Sequence, residues 1–275
     1  MTELPASAAM PRTWIGRVWR HVWRLDFLEK DPFGNILTLK RLLISIIGLA
    51  TYGRLNIVNE LQVRGTAPLF DLPRSGVLFL SNHQTYYADV IAFYHIFCSI
   101  KWRFYNTIRY PIYLLSPKVH MYYVAAEETM MNSGLLPRIF SYTGAVTVKR
   151  SWRANGQEVQ RGVDLAAQEN IGKALQDGWL VSFPQGTTSP FAPVRKGTAH
   201  LIKEYRPIVV PVAINGFRRA FDKKGLFFKK RGVVLSVKFG KPMQFDPDAS
   251  TEEIMAQVTA MLEYDFDTDD NKDMK

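Results

Sequence analysis

The sequence predicts an α/β fold: a mixed central sheet flanked by helices, with a helical hairpin at the N-terminus. Three observations carry this expectation. From Leu61 onward, short apolar runs of strand length alternate with longer stretches of helical periodicity. Ahead of them stand a basic, Trp-rich segment and then an apolar run. The 275 residues, 47% of them apolar or aromatic, suffice for one large core without disulfides or metals.

Ile15, Val18, Trp19, Val22, Trp23 and Leu25 recur at helical spacing, with Arg17, Arg20, His21 and Arg24 largely between them. Trp bodies and Arg heads suit the headgroup boundary of a bilayer, so this segment reads as an interfacial helix. It has no apolar core with a small-residue cleavage site, so it does not read as a secretory signal. Ile36 to Tyr52 is mostly apolar, and its uncharged run, Leu42 to Gly53, is twelve residues long. At about 1.5 Å per residue that falls short of a hydrocarbon core of roughly 30 Å. The expectation is a membrane-associated, monotopic helical hairpin.

Strands are predicted over Leu61–Gly65, Gly76–Ser81, Trp102–Tyr105, Ala145–Lys149, Trp179–Phe183, Ile208–Ile214 and Val233–Phe239. Helices are predicted over Ala88–Phe97, Gly134–Tyr142, Gln157–Gln176, Gly197–Tyr205 and Thr251–Tyr264, the last started by Ser250 or Thr251 with Glu252 and Glu253 in the first turn. The expected organisation is a helical membrane anchor over 1–58, an α/β domain over 59–264 and an acidic tail over 265–275 that is simply solvated.

A net charge of +10 asks for an acidic partner: nucleic acid, an anionic membrane, or a phosphorylated molecule such as coenzyme A or an acidic carrier protein. No basic and aromatic pattern of an RNA- or DNA-reading motif is present, so no nucleic-acid partner is expected. Cys98 is the single cysteine, which leaves no intramolecular disulfide and no thiolate cluster; flanked by Ile96, Phe97 and Ile100, it reads as a small buried hydrophobe.

Chemistry concentrates in two places. Ser81-Asn82-His83-Gln84-Thr85-Tyr86-Tyr87-Ala88-Asp89 directly follows an apolar strand, where ligands sit in open α/β sheets. There a carboxylate can hold an imidazole tautomer and leave the other ring nitrogen as a base. Phe183-Pro184-Gln185-Gly186-Thr187-Thr188-Ser189 follows another strand, with a Gly that lets the backbone approach a ligand and hydroxyls that can donate to phosphate oxygens. Arg195-Lys196-Gly197-Thr198 then opens a helix, placing two cations and a helix N-terminus toward one anion.

Together these segments resemble the lysophospholipid acyltransferase family that includes the 1-acylglycerol-3-phosphate acyltransferases. Four blocks agree in order. Asn82-His83 through Asp89 resembles the first, Gly144 through Arg150 the second, Phe183 through Ser189 the third, and Val210-Pro211-Val212-Ala213-Ile214 the Val-Pro strand of the fourth. The chain departs from the family in having one extra residue between His83 and Asp89. Gln185 stands where Glu is usual, Thr188 where Arg is usual, and Lys149 where Asp is often found.

The resemblance implies catalysis by His83 with Asp89, and binding of the acceptor's polar head by Arg150, Gly186 and Thr187, with Gln185 and Thr188 at the altered pocket positions. Arg195 and Lys196 are added from charge alone. It implies acyl transfer to a lysolipid hydroxyl in phospholipid biosynthesis, with acyl-CoA or acyl carrier protein as donor, no bound cofactor or metal, and a location on the cytoplasmic face of a membrane, monotopic or peripheral. Loss of a guanidinium at Thr188 opens a second acceptor class, the lyso-aminolipids; the altered blocks also allow a catalytically inactive membrane-binding module.

Overall fold

The computed structural model describes residues 29–130, 134–149, 153–154, 157–158, 165–190 and 192–263. The interfacial helix expected around Ile15 to Leu25, Arg150, and the acidic tail lie outside the described residues.

In chain order the elements are helix α1 (Leu37–Asn56), strands β1 (Glu60–Arg64) and β2 (Val77–Ser81), α2 (Ala88–Lys101), β3 (Met121–Ala126), α3 (Glu127–Met130), α4 (Leu135–Tyr142), β4 (Ala145–Val148), the two-residue strands β5 (Arg153–Ala154) and β6 (Gln157–Glu158), α5 (Leu165–Asp177), β7 (Trp179–Ser182), α6 (Gly197–Tyr205), β8 (Ile208–Asn215), α7 (Phe217–Ala220), β9 (Val234–Phe239) and α8 (Thr251–Glu263). Seven strands form one sheet in the order β1-β9-β8-β2-β7-β3-β4. All its pairs are parallel except β8 with β9, so the sheet is mixed, as expected.

Strand β2 lies between β7 and β8 and is buried at every position, because both faces of the sheet are covered there. Its alternate residues serve two cores. Val77 and Phe79 join Trp179, Val181, Val210 and Val212 beneath α2. Leu78 and Leu80 join Leu180 and Val209 against Ala174 and Leu175 of α5, Leu201 and Ile202 of α6, and Ile254 and Val258 of α8.

Helix α2 is buried along its whole length except Lys101, since the sheet covers one side and α1 the other. Helix α1 buries Leu37, Lys40, Ile44, Gly48 and Leu55, one side of a 3.6-residue period. It packs so closely that a Cβ on Gly48 would lie 2.4 Å from Leu114 Cδ2. Its opposite side exposes Leu39, Leu42, Ile46 and Leu49. None of the described helices is long and apolar enough to cross a membrane.

Two expectations are corrected. Trp102–Tyr105 is no strand: it ends α2, with the Trp102 N–H bonded to the Cys98 and Ser99 carbonyls and Arg103 in the left-handed region at φ 59°. Aromatic residues favour strands, but a helix terminus took precedence here, and the Trp102 indole N–H closes the turn on the Ser116 carbonyl at 3.0 Å. The sheet instead receives β3. The helix expected over Gln157–Gln176 covers Leu165–Asp177, with Gln157–Glu158 forming the antiparallel ribbon of β5 and β6.

Candidate active site

His83 emerges two residues beyond β2, where β7 and β8 flank β2 and their own C-terminal turns converge. Its anchor is Asn82. That amide donates to the Ile214 carbonyl at 2.9 Å and accepts from the Ile214 N–H at 2.8 Å, tying the motif to the end of β8. Gln84 adds a bond to the same carbonyl at 3.0 Å. The Val-Pro block therefore acts on the site through its last residue: β8 is the strand that holds Asn82 and Gln84 in place.

His83 Nδ1 lies 2.8 Å from Asp89 Oδ2. The carboxylate is fully buried and also accepts the main-chain N–H groups of Gln84 and Thr85, at 2.6 and 3.0 Å, and the Thr85 hydroxyl at 2.7 Å. Four donors around one buried acid fix its position and orient the imidazole with Nδ1 inward. Between His83 and Asp89, the Tyr86 and Tyr87 N–H groups donate to the Lys223 and Lys224 carbonyls at 3.1 and 2.9 Å. The pair therefore meets despite the longer spacing. His83 itself is 14% exposed, and its ring stacks on Phe183 with centroids 3.9 Å apart and planes 22° apart. The first and third blocks are thus in direct contact.

The 183–189 turn is held by its own bonds. Gly186 has φ 63°, which favours Gly, and its N–H returns to the Phe183 carbonyl at 2.8 Å. The Gln185 amide donates to the Ala192 carbonyl at 2.9 Å, closing the loop internally. Thr187 pairs with Ser189 at the surface, while Thr188 is buried. The Arg195 N–H donates to the Pro184 carbonyl at 2.9 Å, which brings the start of α6 to this turn, and Lys196 is exposed at its N-cap. Gly144 opens β4 at φ 112°, where a Cβ would lie 2.5 Å from the Met121 carbonyl, so the Gly of the second block meets a packing need at the sheet edge.

Sequence reasoning missed Arg218. It sits in α7, just after β8, with its N–H on Gln84 Oε1 at 3.1 Å and its guanidinium on the Thr188 carbonyl at 2.6 Å. A guanidinium thus reaches the position in the third block where the chain carries Thr instead of Arg. No motif flags Arg218, because it belongs to a different strand's turn and a run of basic residues hides it.

A cavity of about 240 Å³ opens beside the site, lined chiefly by Ile47, Leu55, Ile91, Leu136, Phe140 and Phe221, with Arg54 among its few polar residues. Ala88 of the His83–Asp89 motif also lines it. Among the described residues, no three His, Cys, Asp or Glu side chains cluster as a metal site.

An acyltransferase family model matches residues 60–215, more than half of the chain, including the His83–Asp89 and Phe183–Ser189 turns. The chain belongs to the acyltransferase family. It is an enzyme of acyl transfer, in agreement with the resemblance read from its four blocks. The acyltransferase is similar in fold to the 1-acyl-sn-glycerophosphate acyltransferase PlsC of Thermotoga maritima, with a TM-score of 0.54 and 17% identity over 92% of this chain and 89% of that one. No curated protein matches it.

Proposed function

We propose that this acyltransferase moves a fatty acyl chain from a thioester, acyl-CoA or acyl carrier protein, to the free hydroxyl of a 1-acylglycerol-3-phosphate-like lysolipid at a membrane surface. The observation that carries the reading is the His83–Asp89 pair at the sheet's crevice, with Nδ1 committed to the carboxylate and Nε2 left for the acceptor. Nε2 takes the hydroxyl proton as the oxygen attacks the thioester carbonyl. Collapse of the tetrahedral intermediate breaks the C–S bond, and the proton on His83 passes to the leaving thiolate. The buried Asp89 stabilises the imidazolium in between. This direct transfer uses no bound cofactor and no metal.

Arg218 favours a phosphate-bearing acceptor. It supplies a planar, five-donor cation beside the 183–189 turn, and one bond to the Thr188 carbonyl leaves most of that fork for phosphate. Arg150, Gly186, Thr187, Arg195 and Lys196 are proposed to complete the headgroup site. The apolar cavity at Phe140 and Phe221 suits a segment of acyl chain. Both lipids reside in a bilayer, and the exposed apolar side of α1 suits attachment to one leaflet.

The test is transfer of a labelled acyl group from acyl-CoA and from acyl carrier protein to a panel of lysolipids, with and without phosphate. The expected result is acylation of a phosphate-bearing acceptor by the wild type and its loss in His83→Ala. Acylation of a lyso-aminolipid alone would move the headgroup assignment, and no transfer to any acceptor would overturn the reading.

A further inference from the structure

Arg218 apart, the segment joining β8 to β9 carries a charge pattern that the transfer reaction does not use. Residues 217–231 hold seven Lys and Arg against one acid, and Arg219, Lys223, Lys224, Lys229, Lys230 and Arg231 are exposed. The single acid, Asp222, accepts the N–H groups of Leu226 and Phe227 with Oδ1 at 2.7 and 2.9 Å, and one carboxylate leaves the segment strongly basic. Phe227, between these cations, is 72% exposed.

The loop that presents them is built from main chain. The Lys229 N–H donates to the Ala220 carbonyl at 2.8 Å, and Phe221 bridges Phe228. Gly225, at φ 80°, approaches the start of α2 so closely that a Cβ would lie 2.5 Å from the Ala88 nitrogen. The Lys223 and Lys224 carbonyls receive the Tyr86 and Tyr87 N–H groups. The Lys223 and Lys224 side chains stay exposed, as does Lys229, whose Nζ also donates to the Arg218 carbonyl at 3.4 Å, while the loop's inner side, through Phe221 and Leu226, lines the apolar cavity. Arg54, at the end of α1, reaches the Leu226 carbonyl and lies 4.7 Å from the Phe228 ring centre. Loop and helix thus adjoin.

We propose that this loop is a lipid-reading contact: its six exposed cations engage the phosphates of an anionic bilayer while Phe227 enters the headgroup boundary, so that the cavity mouth faces the leaflet. The proposal rests on the reading that the enzyme works on bilayer lipid. Single-sign charge around an exposed aromatic, next to a helix that exposes Leu42, Ile46 and Leu49, fits an anionic lipid surface better than an acidic protein, which would leave those apolar side chains uncovered.

The full chain is floated with vesicles of phosphatidylcholine alone and of phosphatidylcholine mixed with phosphatidylglycerol. The expected wild-type preference is for the anionic vesicles. Combined Lys223→Glu, Lys224→Glu, Lys229→Glu and Lys230→Glu is expected to cut that preference by about tenfold or more, each cation near an anionic surface contributing to partition. Phe227→Ser is expected to weaken binding to both vesicles alike. Thermal unfolding and transfer to a detergent-dispersed lysolipid should stay as in wild type, which separates lost docking from lost folding. A charge-reversed variant that keeps the wild-type preference overturns the loop assignment alone. Wild-type protein that floats with neither vesicle overturns the bilayer reading with it. A charge-reversed variant that loses only transfer from acyl carrier protein, and keeps its vesicle preference, assigns the loop to an acidic protein instead.

Discussion

Asp89 shows how a single residue can carry the geometry of a site. Fully buried, it satisfies four donors, so removing its charge alters the His83 tautomer before it alters anything else. Asp89→Asn presents an NH₂ group to at least one of those donors, and acyl transfer is expected to fall by at least about a hundredfold, measured as kcat/KM. His83→Ala should cost about 10²- to 10⁴-fold, the usual contribution of a positioned base, and should also lower the unfolding midpoint, because the ring stacks on Phe183 and bonds to the buried Asp89 carboxylate. Arg218 gives the sharper test, because two roles compete for it. If its guanidinium binds phosphate, Arg218→Ala raises KM for a phosphate-bearing acceptor by about tenfold or more, the worth of hydrogen bonds to a charged group. Thr188→Arg, added to that variant, should restore KM by returning the guanidinium to the family's usual place. A purely structural Arg218 would show no such rescue.

At the scale of elements, the edge of the α/β domain is set by α1, which docks by one side of its period. Lys40 is its least comfortable residue. It is 2% exposed, its amine lies 3.8 Å from Asp31 and 3.6 Å from the Tyr122 ring centre, and burial lowers its pKa to about 8. A Lys with a depressed folded pKa destabilises the fold while charged, and that penalty is relieved as pH rises from about 8 toward its unfolded value. Lys40→Met is therefore expected to raise the unfolding midpoint at pH 7, and the gap to wild type should narrow by pH 10, as read by circular dichroism at each pH. Most elements are legible in the sequence because each has a clear period or boundary: β1, β2, β4, β7, β8, β9, α2, α4, α6 and α8, together with both turns that make the site. Strand β3 is not legible because Met121 to Ala126 shows no apolar–polar alternation and runs straight into the acids of α3, while Trp102–Tyr105 offers strand-forming residues at a helix end. His83 and Asp89 were legible because a motif marks them. Arg218 was not, because its place depends on how β8 lies beside β2, a tertiary pairing that no local spacing encodes.

On the scale of the molecule, α1 leaves a stripe of apolar side chains exposed after the two cores are filled. Leu42, Ile46 and Leu49 are each about half exposed, at 54, 54 and 52%, and lie on one side of α1 away from α2. Within a soluble domain this stripe would be an aggregation hazard, but against a leaflet it is an anchor, and the net charge of +10 supplies attraction to the same surface. In the proposed attachment α1 would lie along the bilayer, since none of the described helices is long and apolar enough to cross one. Leu42→Glu combined with Ile46→Glu should lower the fraction of protein that pellets with membranes by about tenfold or more, since each change replaces buried apolar contact with an acid repelled by anionic lipid. The unfolding free energy should move by no more than about 1 kcal/mol, because neither side chain enters the core. Transfer to a lysolipid dispersed in detergent should persist, whereas transfer to the same lysolipid embedded in vesicles should fall with pelleting. Equal loss in both assays would mean that α1 serves the domain's own stability, and unchanged pelleting would place the membrane contact elsewhere on the molecule.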